Sequence, residues 1–367
     1  MLATKILTYI IAIFAMIGAL DRIAGNRLGL GEKFEQAFRA MGPLALSMVG
    51  MLVISPVIAN LLKPILTPFF QIIGADPAVF AGMFLGTDMG AATLAKELAI
   101  NSQSGLLAGF ITSSMMGATI VFHIPVAMER AGQDSRYIAK GMMSGFITIP
   151  VGCIVGGLAA DFPLSLILHD TIPVIIISAL LTLGMLRFRN GMTHGFILFG
   201  MFILAISTTG LALGILQELT GLTPVNGIGP ISDAFSTVCS VAIFLAGAFP
   251  LMHVMTAVLK KPLTIIGYKL KINDISAVGP IITLVNSIPM LETMKHMDTK
   301  GKIINSAFCV SGAFALGDFI GFVAVQAPTM VIPMILGKLT AALLAIIVAL
   351  ILTKSDSDAS NADSSDK

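Results

Sequence analysis

Apolar runs of about 20 residues follow one another through nearly the whole chain, from Leu2 to Thr353. An α-helix needs about 20 predominantly apolar residues to cross the hydrocarbon core of a bilayer, so each run is a candidate transmembrane helix. Hydrophobic residues make up 56% of the chain and charged residues only 11%. A typical soluble domain carries about 25% charged residues. The sequence therefore predicts an all-α polytopic membrane protein.

Eleven of these runs are predicted to be transmembrane segments. They cover residues 4–20, 42–62, 76–99, 103–128, 137–160, 164–187, 194–216, 235–259, 274–297, 301–325 and 329–352. Residues 21–41 are basic and carry apolar residues at helical spacing, which predicts an amphipathic helix at the membrane surface. Residues 64–74 are too short to span, and their two prolines favour a re-entrant segment. Residues 354–367 are polar and low in complexity, which predicts a disordered tail.

Two halves of the chain resemble each other at an offset of 198 residues, the separation of Lys63 and Lys261. At that offset Asp88 aligns with Asn286, and each lies in a polar break of an apolar run. Paired breaks in corresponding halves are the best indication in a sequence of a transporter binding site. We therefore predict two structural repeats with broken or re-entrant helices.

These repeats divide the chain into five parts. The parts are a first span with an amphipathic connector (1–33), repeat unit 1 (34–160), linking spans (161–230), repeat unit 2 (231–353) and the polar tail (354–367). Basic residues cluster at 21–41, 129–140, 187–189 and 260–271, and such clusters favour the cytoplasm. Three predicted spans separate the first two clusters. An odd number of crossings puts these clusters on opposite sides of the membrane, so they cannot both be cytoplasmic. The orientation of the repeats stays open, with an inverted arrangement favoured by analogy with known transporters.

Two carboxylates inside predicted spans are the main candidates for a binding site, since an unpaired charge there costs about 3 kcal/mol or more. Asp88 lies between two glycines, where a helix can open. A carboxylate at such a break suits a cation, although it could instead cap the following helix. Asp318 has no acidic repeat mate. It is predicted to handle substrate or a proton, the alternative being a structural pair with Lys338.

Four uncharged polar residues complete the candidate substrate-binding site. They are Thr87, Ser113, Asn286 and Ser311. Asn286 either donates to a substrate hydroxyl or satisfies backbone groups freed by the break. Ser311 precedes Asp318 by seven residues, about two helical turns, and is predicted to share its helix face.

Several other classes of function lack support in the sequence. A net charge of +2 argues against a nucleic-acid partner. The three cysteines are scattered in apolar runs, and the histidines show no ligand spacing, so no metal site or cofactor is predicted. His123 is expected to be a packing or interfacial residue. Zinc-protease and nucleophile-elbow motifs are absent, which leaves an intramembrane enzyme as a remote alternative.

Several stretches resemble the bacterial ethanolamine-utilisation transporter family. They include FAGMFLGTDMGAATLAKELA (80–99), SMMGATIVFHIPVA (114–127), ITIPVGCIVGGLAA (147–160), NSIPM (286–290), MDTKGKIINSAF (297–308) and FALGDFIGF (314–322). The similarity extends from Asp21 to about residue 350. This resemblance implies a multi-pass protein of the bacterial inner membrane that moves ethanolamine into the cell.

The polar residues fit that substrate, because ethanolamine is mostly an ammonium near neutral pH and carries a hydroxyl two carbons away. A site would need a carboxylate for the cation and a hydroxyl or amide for the alcohol. Asp88 or Asp318 could supply the first. A passive channel-like facilitator and a proton- or cation-coupled transporter of another small amine remain as alternatives. The expected partners are ethanolamine and membrane lipid, and the sequence leaves a homo-oligomer open.

Overall fold

The computed structural model describes residues 2–131 and 134–365, and within these residues every regular element is helical. Eight helical segments there are long and apolar enough to cross a membrane. The α-helices are α1 (Leu2–Ile23), α2 (Leu30–Arg39), α3 (Met41–Ile72), α4 (Ala78–Phe84), α5 (Ala91–Leu98), α6 (Ser102–Leu106), α7 (Ile124–Ala131), α8 (Ser135–Ala159), α9 (Leu164–Arg187), α10 (Arg189–Thr220), α11 (Ile231–Leu270), α12 (Asp274–Val285), α13 (Ser287–Thr293), α14 (Thr299–Gly312), α15 (Asp318–Gln326) and α16 (Val331–Ser365). The prediction of an all-α polytopic membrane protein is confirmed.

The amphipathic connector and the third helix follow the sequence prediction only in part. Helix α2 forms where an amphipathic helix was expected, and Glu35 on it pairs with Arg39 at 2.6 Å. Helix α3 continues through Pro56, Pro64 and Pro68. The predicted re-entrant segment at 64–74 is therefore wrong. A membrane helix tolerates proline where neighbouring groups take up the freed backbone carbonyls.

Residues 76–101, which we call hairpin 1, form two short helices and not the predicted single span over 76–99. Helices α4 and α5 have 7 and 8 residues, each far shorter than a span. The two ends of the hairpin meet, because the Asp76 carboxylate accepts hydrogen bonds from the backbone N–H groups of Ile100 and Asn101 at 2.9 and 2.8 Å. The chain turns at residues 85–90, which form the tip.

Residues 273–298, which we call hairpin 2, replace the predicted span over 274–297 in the same way. Helices α12 and α13 meet at Asn286, which has an extended backbone, and this residue marks the tip. The ends are joined by the Asn273 N–H, which donates to the Asp298 carboxylate at 3.0 Å. Asn273 also donates through its side-chain amide to the His296 carbonyl at 2.9 Å.

A central helix follows each hairpin. After hairpin 1, α6 leads through π-helical turns at Leu107–Gly117 and Thr119–His123 into α7, and this segment is almost entirely buried. After hairpin 2, the predicted span over 301–325 is divided into α14 and α15 by an irregular break at 313–317. Phe314 in this break has a φ of 57°, a left-handed backbone that is rare for a bulky residue.

The remaining helices enclose these elements. Helix α8 packs against α14 and α16, while α9 and α10 present rows of exposed leucine and isoleucine as lipid-facing helices do. The helical backbone of α16 runs on to Ser365 through most of the stretch predicted to be disordered. A helix that is already nucleated propagates at little cost, which accounts for this continuation. The five-part division of the chain stays a prediction.

Candidate functional site

The tips of the two hairpins and the break between α14 and α15 come together inside the molecule. The N–H groups of Phe314 and Leu316 donate to the carbonyls of Thr283 and Leu284, at 3.0 and 2.9 Å, which fixes the break against the tip of hairpin 2. Helix α15 then begins at Asp318 and contacts the tip of hairpin 1 at Thr87–Met89. Three chain interruptions therefore meet at one place.

Asp88 lies on the 3-10 turn at the tip of hairpin 1 and is half-buried. Gly90 ends this turn with a φ of 86°, which a residue with a side chain adopts only under strain. No side-chain cap is formed at the start of α5, so the alternative role of Asp88 as a helix cap is not adopted. Its carboxylate lies within electrostatic range of Asp318 and Lys338.

Asp318 is the first residue of α15 and is also half-buried. It was predicted to lie inside a continuous span, and the break at 313–317 corrects this. The positive end of a helix dipole favours a carboxylate at such a position. The prediction that Ser311 shares its helix face is wrong, because the two residues lie on different helices. Asp318 makes no side-chain hydrogen bond or ion pair with any described residue, so its predicted pair with Lys338 is not formed there.

Thr87 and Ser113 hold the tip of hairpin 1 against the central helix. Their hydroxyl oxygens are 2.6 Å apart, and Ser113 donates to the Gly109 carbonyl at 2.6 Å. Thr87 is therefore the donor to Ser113. The tip of hairpin 1 packs closely against the central helix, since a Cβ on Gly117 would lie 1.9 Å from the Leu85 carbonyl oxygen. The structure brings these two candidates together as a support for Asp88.

Asn286 and Ser311 lie at the tip of hairpin 2 and near the end of α14. The Asn286 side-chain oxygen accepts from the Ile288 N–H at 2.9 Å and caps α13, which leaves its NH₂ group to donate elsewhere. Of the two alternatives for Asn286, the structure thus shows the capping of freed backbone. The Ser311 hydroxyl is fully buried and has no hydrogen-bond partner among the described residues.

Two residues that the sequence analysis treated as structural also belong to this cluster. Lys338 is fully buried, its Nζ donates to the Ser114 carbonyl, and it lies 4.9 Å from the centroid of the Phe319 ring. His123 is fully buried and stacks on Phe314 with the ring centroids 5.8 Å apart. A lysine within the apolar run 329–352 is a signal that sequence alone offers, since intramembrane charges are rarely without function.

The charges of the cluster do not balance. By formal charge at pH 7, Asp88 and Asp318 contribute two negative charges and Lys338 one positive charge, which leaves one negative charge with His123 counted as neutral. A buried net charge is costly, so the cluster is suited to a single monovalent cation. Within the described residues there is no group of His, Cys, Asp and Glu that could hold a metal ion.

Two large cavities lie at opposite ends of the helical bundle. One of about 730 Å³, which we call the vestibule, is lined by Lys96, Glu97, Phe110, Asp233 and Gln326 among others. Phe110 contacts Phe322 with ring centroids 6.3 Å apart, and Phe322 lies one helical turn after Asp318. This aromatic contact connects the wall of the vestibule to the first turn of α15, where Asp318 lies.

The second cavity, of about 810 Å³, has a strongly basic lining. It is formed by the start of α8, the end of α11, the start of α14 and the turn of α16 that contains Leu350 and Thr353. Arg136, Lys140, Lys269 and Lys300 all line it, so the basic clusters at 129–140 and 260–271 lie at the same end of the molecule. The Lys302–Asp134 ion pair at 2.8 Å joins the same end. Its positive lining disfavours an ammonium ligand.

Comparison with known proteins identifies the family. The profile of the family described as "Ethanolamine utilisation protein, EutH" matches residues 3–352, nearly the whole chain. The chain belongs to the EutH family. It is accordingly a multi-pass membrane transport protein and not an enzyme, and the predicted family resemblance is confirmed.

Individual relatives agree with this assignment over almost their full length. The chain is 47% identical to the "Probable ethanolamine permease EutH" of Listeria monocytogenes, covering 94% of this chain and 93% of the relative. It is 41% identical to the protein of the same name from Salmonella typhimurium, covering 96% of each chain. The "Uncharacterized protein YxeR" of Bacillus subtilis is also 41% identical, over 95% of each chain. No solved structure matches this chain.

Proposed function

We propose that this EutH-family protein transports ethanolamine into the cell and binds it as ethanolammonium in the cluster of Asp88, Asp318 and Lys338. The observation that carries the proposal is the unpaired, half-buried Asp318 carboxylate in a cluster with one uncompensated negative charge. One ethanolammonium ion makes the cluster neutral. A neutral substrate would leave that charge buried, and a divalent cation would overcompensate it.

Asp318 is the ligand that we assign to the ammonium group. Its position at the start of α15 leaves both carboxylate oxygens without a partner in the described part of the chain, and charge-assisted hydrogen bonds are among the stronger ones. We assign the substrate hydroxyl to the Asn286 NH₂ group or the Ser311 hydroxyl. Both groups have hydrogen-bonding capacity that the described residues do not use. Thr87 and Ser113 act indirectly by positioning Asp88.

The hairpins also support one membrane orientation for the four basic clusters. Hairpin 1 does not cross, so only α3 and the central helix after hairpin 1 separate the first two basic clusters. Two crossings return the chain to the same side, and the same count holds between each later pair of clusters. All four then lie in the cytoplasm, as the positive-inside tendency expects. The shared basic cavity independently supports a common side for two of them, 129–140 and 260–271.

On this topology the two halves form an inverted repeat in the bacterial inner membrane. Helix α3 runs outward and its counterpart α11 runs inward, because five crossings lie between their starts. Hairpin 1 has its base at the outer surface and hairpin 2 at the cytoplasmic surface. The vestibule faces outward, where Glu97 and Asp233 would attract a cation, and the Phe110–Phe322 pair closes the path to Asp318. Alternating access then requires movement of one hairpin tip at a time.

The experiment is uptake of radiolabelled ethanolamine by proteoliposomes that contain the purified protein. We expect Asp318→Asn to abolish uptake and Asp88→Asn to reduce it strongly, while Asp161→Asn, an exposed surface change, leaves uptake unchanged. Normal uptake by both site variants would refute the site. Preloading with unlabelled ethanolamine should accelerate uptake of the label, whereas a passive pore would show no such acceleration.

A further inference from the structure

Lys338 is unusual because its ammonium is fully buried in the same cluster as the proposed substrate site. It donates to the Ser114 carbonyl, which lies 224 residues earlier in the chain. It also lies over the Phe319 ring at 4.9 Å, a contact that favours a cation. These contacts surround Lys338 with groups that stabilise a positive charge.

The ammonium of Lys338 therefore compensates one of the two carboxylates before any substrate binds. Lys338 lies beside the tip that carries Asp88, because it contacts the Ser114 carbonyl and the preceding residue, Ser113, is hydrogen-bonded to Thr87. Asp318 forms no ion pair with the lysine. Without the lysine, the cluster would carry two negative charges and would need two monovalent cations to become neutral. With the lysine present, one cation suffices.

We propose that Lys338 takes the place of a co-transported cation, so that ethanolammonium crosses the membrane without a coupling ion. This inference rests on the proposed function, because it concerns the same site. Lys338 is a positioning residue here, since it neutralises Asp88 and leaves Asp318 for the substrate. A purely structural lysine would have no effect on which ions accompany the substrate.

The test compares wild-type protein with Lys338→Gln and Lys338→Arg in proteoliposomes, using radiolabelled ethanolamine and imposed sodium or proton gradients. Wild-type uptake should be the same with and without either gradient at equal ethanolammonium concentration. Lys338→Gln should lose about tenfold or more of the uptake without a gradient. An inward sodium or proton gradient should restore it, because a mobile cation then replaces the missing charge. Lys338→Arg should retain gradient-independent uptake.

A second measurement gives the number of charges moved with each ethanolamine, from the dependence of uptake on an imposed membrane potential. One charge is expected for the wild type and two for Lys338→Gln supplied with sodium or protons. Wild-type uptake driven by either gradient would overturn the inference even if the variant does not fold. A Lys338→Gln protein that elutes as a single species but is unaffected, or is inactive under every gradient, would also overturn it. Wild-type liposomes that take up no ethanolamine would refute the proposed function, and the inference with it.

Discussion

The Asp76 carboxylate and the Asn101 backbone N–H are 2.8 Å apart and close the base of hairpin 1, and Asp298 and the Asn273 N–H close hairpin 2 at 3.0 Å. The two carboxylates come from opposite arms, since Asp76 is the first residue of hairpin 1 and Asp298 is the last residue of hairpin 2. The residue that aligns with Asp76 in the sequence, Asp274, is exposed at the start of α12 and does not close a hairpin.

We predict that Asp76→Ala and Asp298→Ala each destabilise the protein, whereas Asp274→Ala has little effect. Each closing carboxylate accepts several hydrogen bonds, and losing such an acceptor costs roughly 1–3 kcal/mol. Thermal denaturation of the purified protein in detergent measures the difference. An equal loss in all three variants would contradict this assignment.

The contribution of Asp298 should also depend on pH. Burial acts to raise the pKa of Asp298, but hydrogen bonds from the Ser276 hydroxyl and the Asn273 and Gly301 N–H groups outweigh it and lower the pKa. A carboxylate whose pKa is lower in the folded protein stabilises it above the unfolded pKa, and this is lost as the pH falls through the folded value. The stability difference between wild type and Asp298→Ala should therefore shrink in acid.

We predict that Thr87→Val and Ser113→Ala reduce ethanolamine uptake to similar extents and that the double variant is no worse than either. The two hydroxyls form one hydrogen bond at 2.6 Å, so removing either partner releases the tip that carries Asp88. Thr87→Ser retains the hydroxyl and should retain most of the uptake. Additive losses in the double variant would instead indicate that Thr87 contacts the substrate on its own.

We predict that the hairpin bases are accessible from opposite sides of the membrane. In a Cys239→Ser background, a membrane-impermeant maleimide should label Ile100→Cys on intact cells and Thr299→Cys only after permeabilisation. Leu222→Cys and Phe188→Cys are matched controls, since both are exposed and lie in the outer and cytoplasmic loops of the proposed topology. Labelling of Thr299→Cys on intact cells would refute the inverted arrangement.

The sequence by itself determined the helical membrane class, the family and the positions of the two tips. Hydropathy determines the helical membrane class, because an apolar segment in lipid must satisfy its own backbone hydrogen bonds and a helix does so. Asp88 and Asn286 could be placed at chain breaks because glycine, proline and polar residues interrupt apolar runs locally. Asp318 was recognised because a carboxylate in such a run is rare.

Only the tertiary structure decided that residues 76–101 and 273–298 are hairpins and that Lys338 lies against the Ser114 carbonyl and the Phe319 ring. A hairpin buried among helices is as apolar as a span, so hydropathy cannot separate them, and the deciding contacts are hydrogen bonds between its distant ends. Likewise, Lys338 meets Ser114 only through packing across 224 residues of chain. No local pattern in the sequence encodes that proximity.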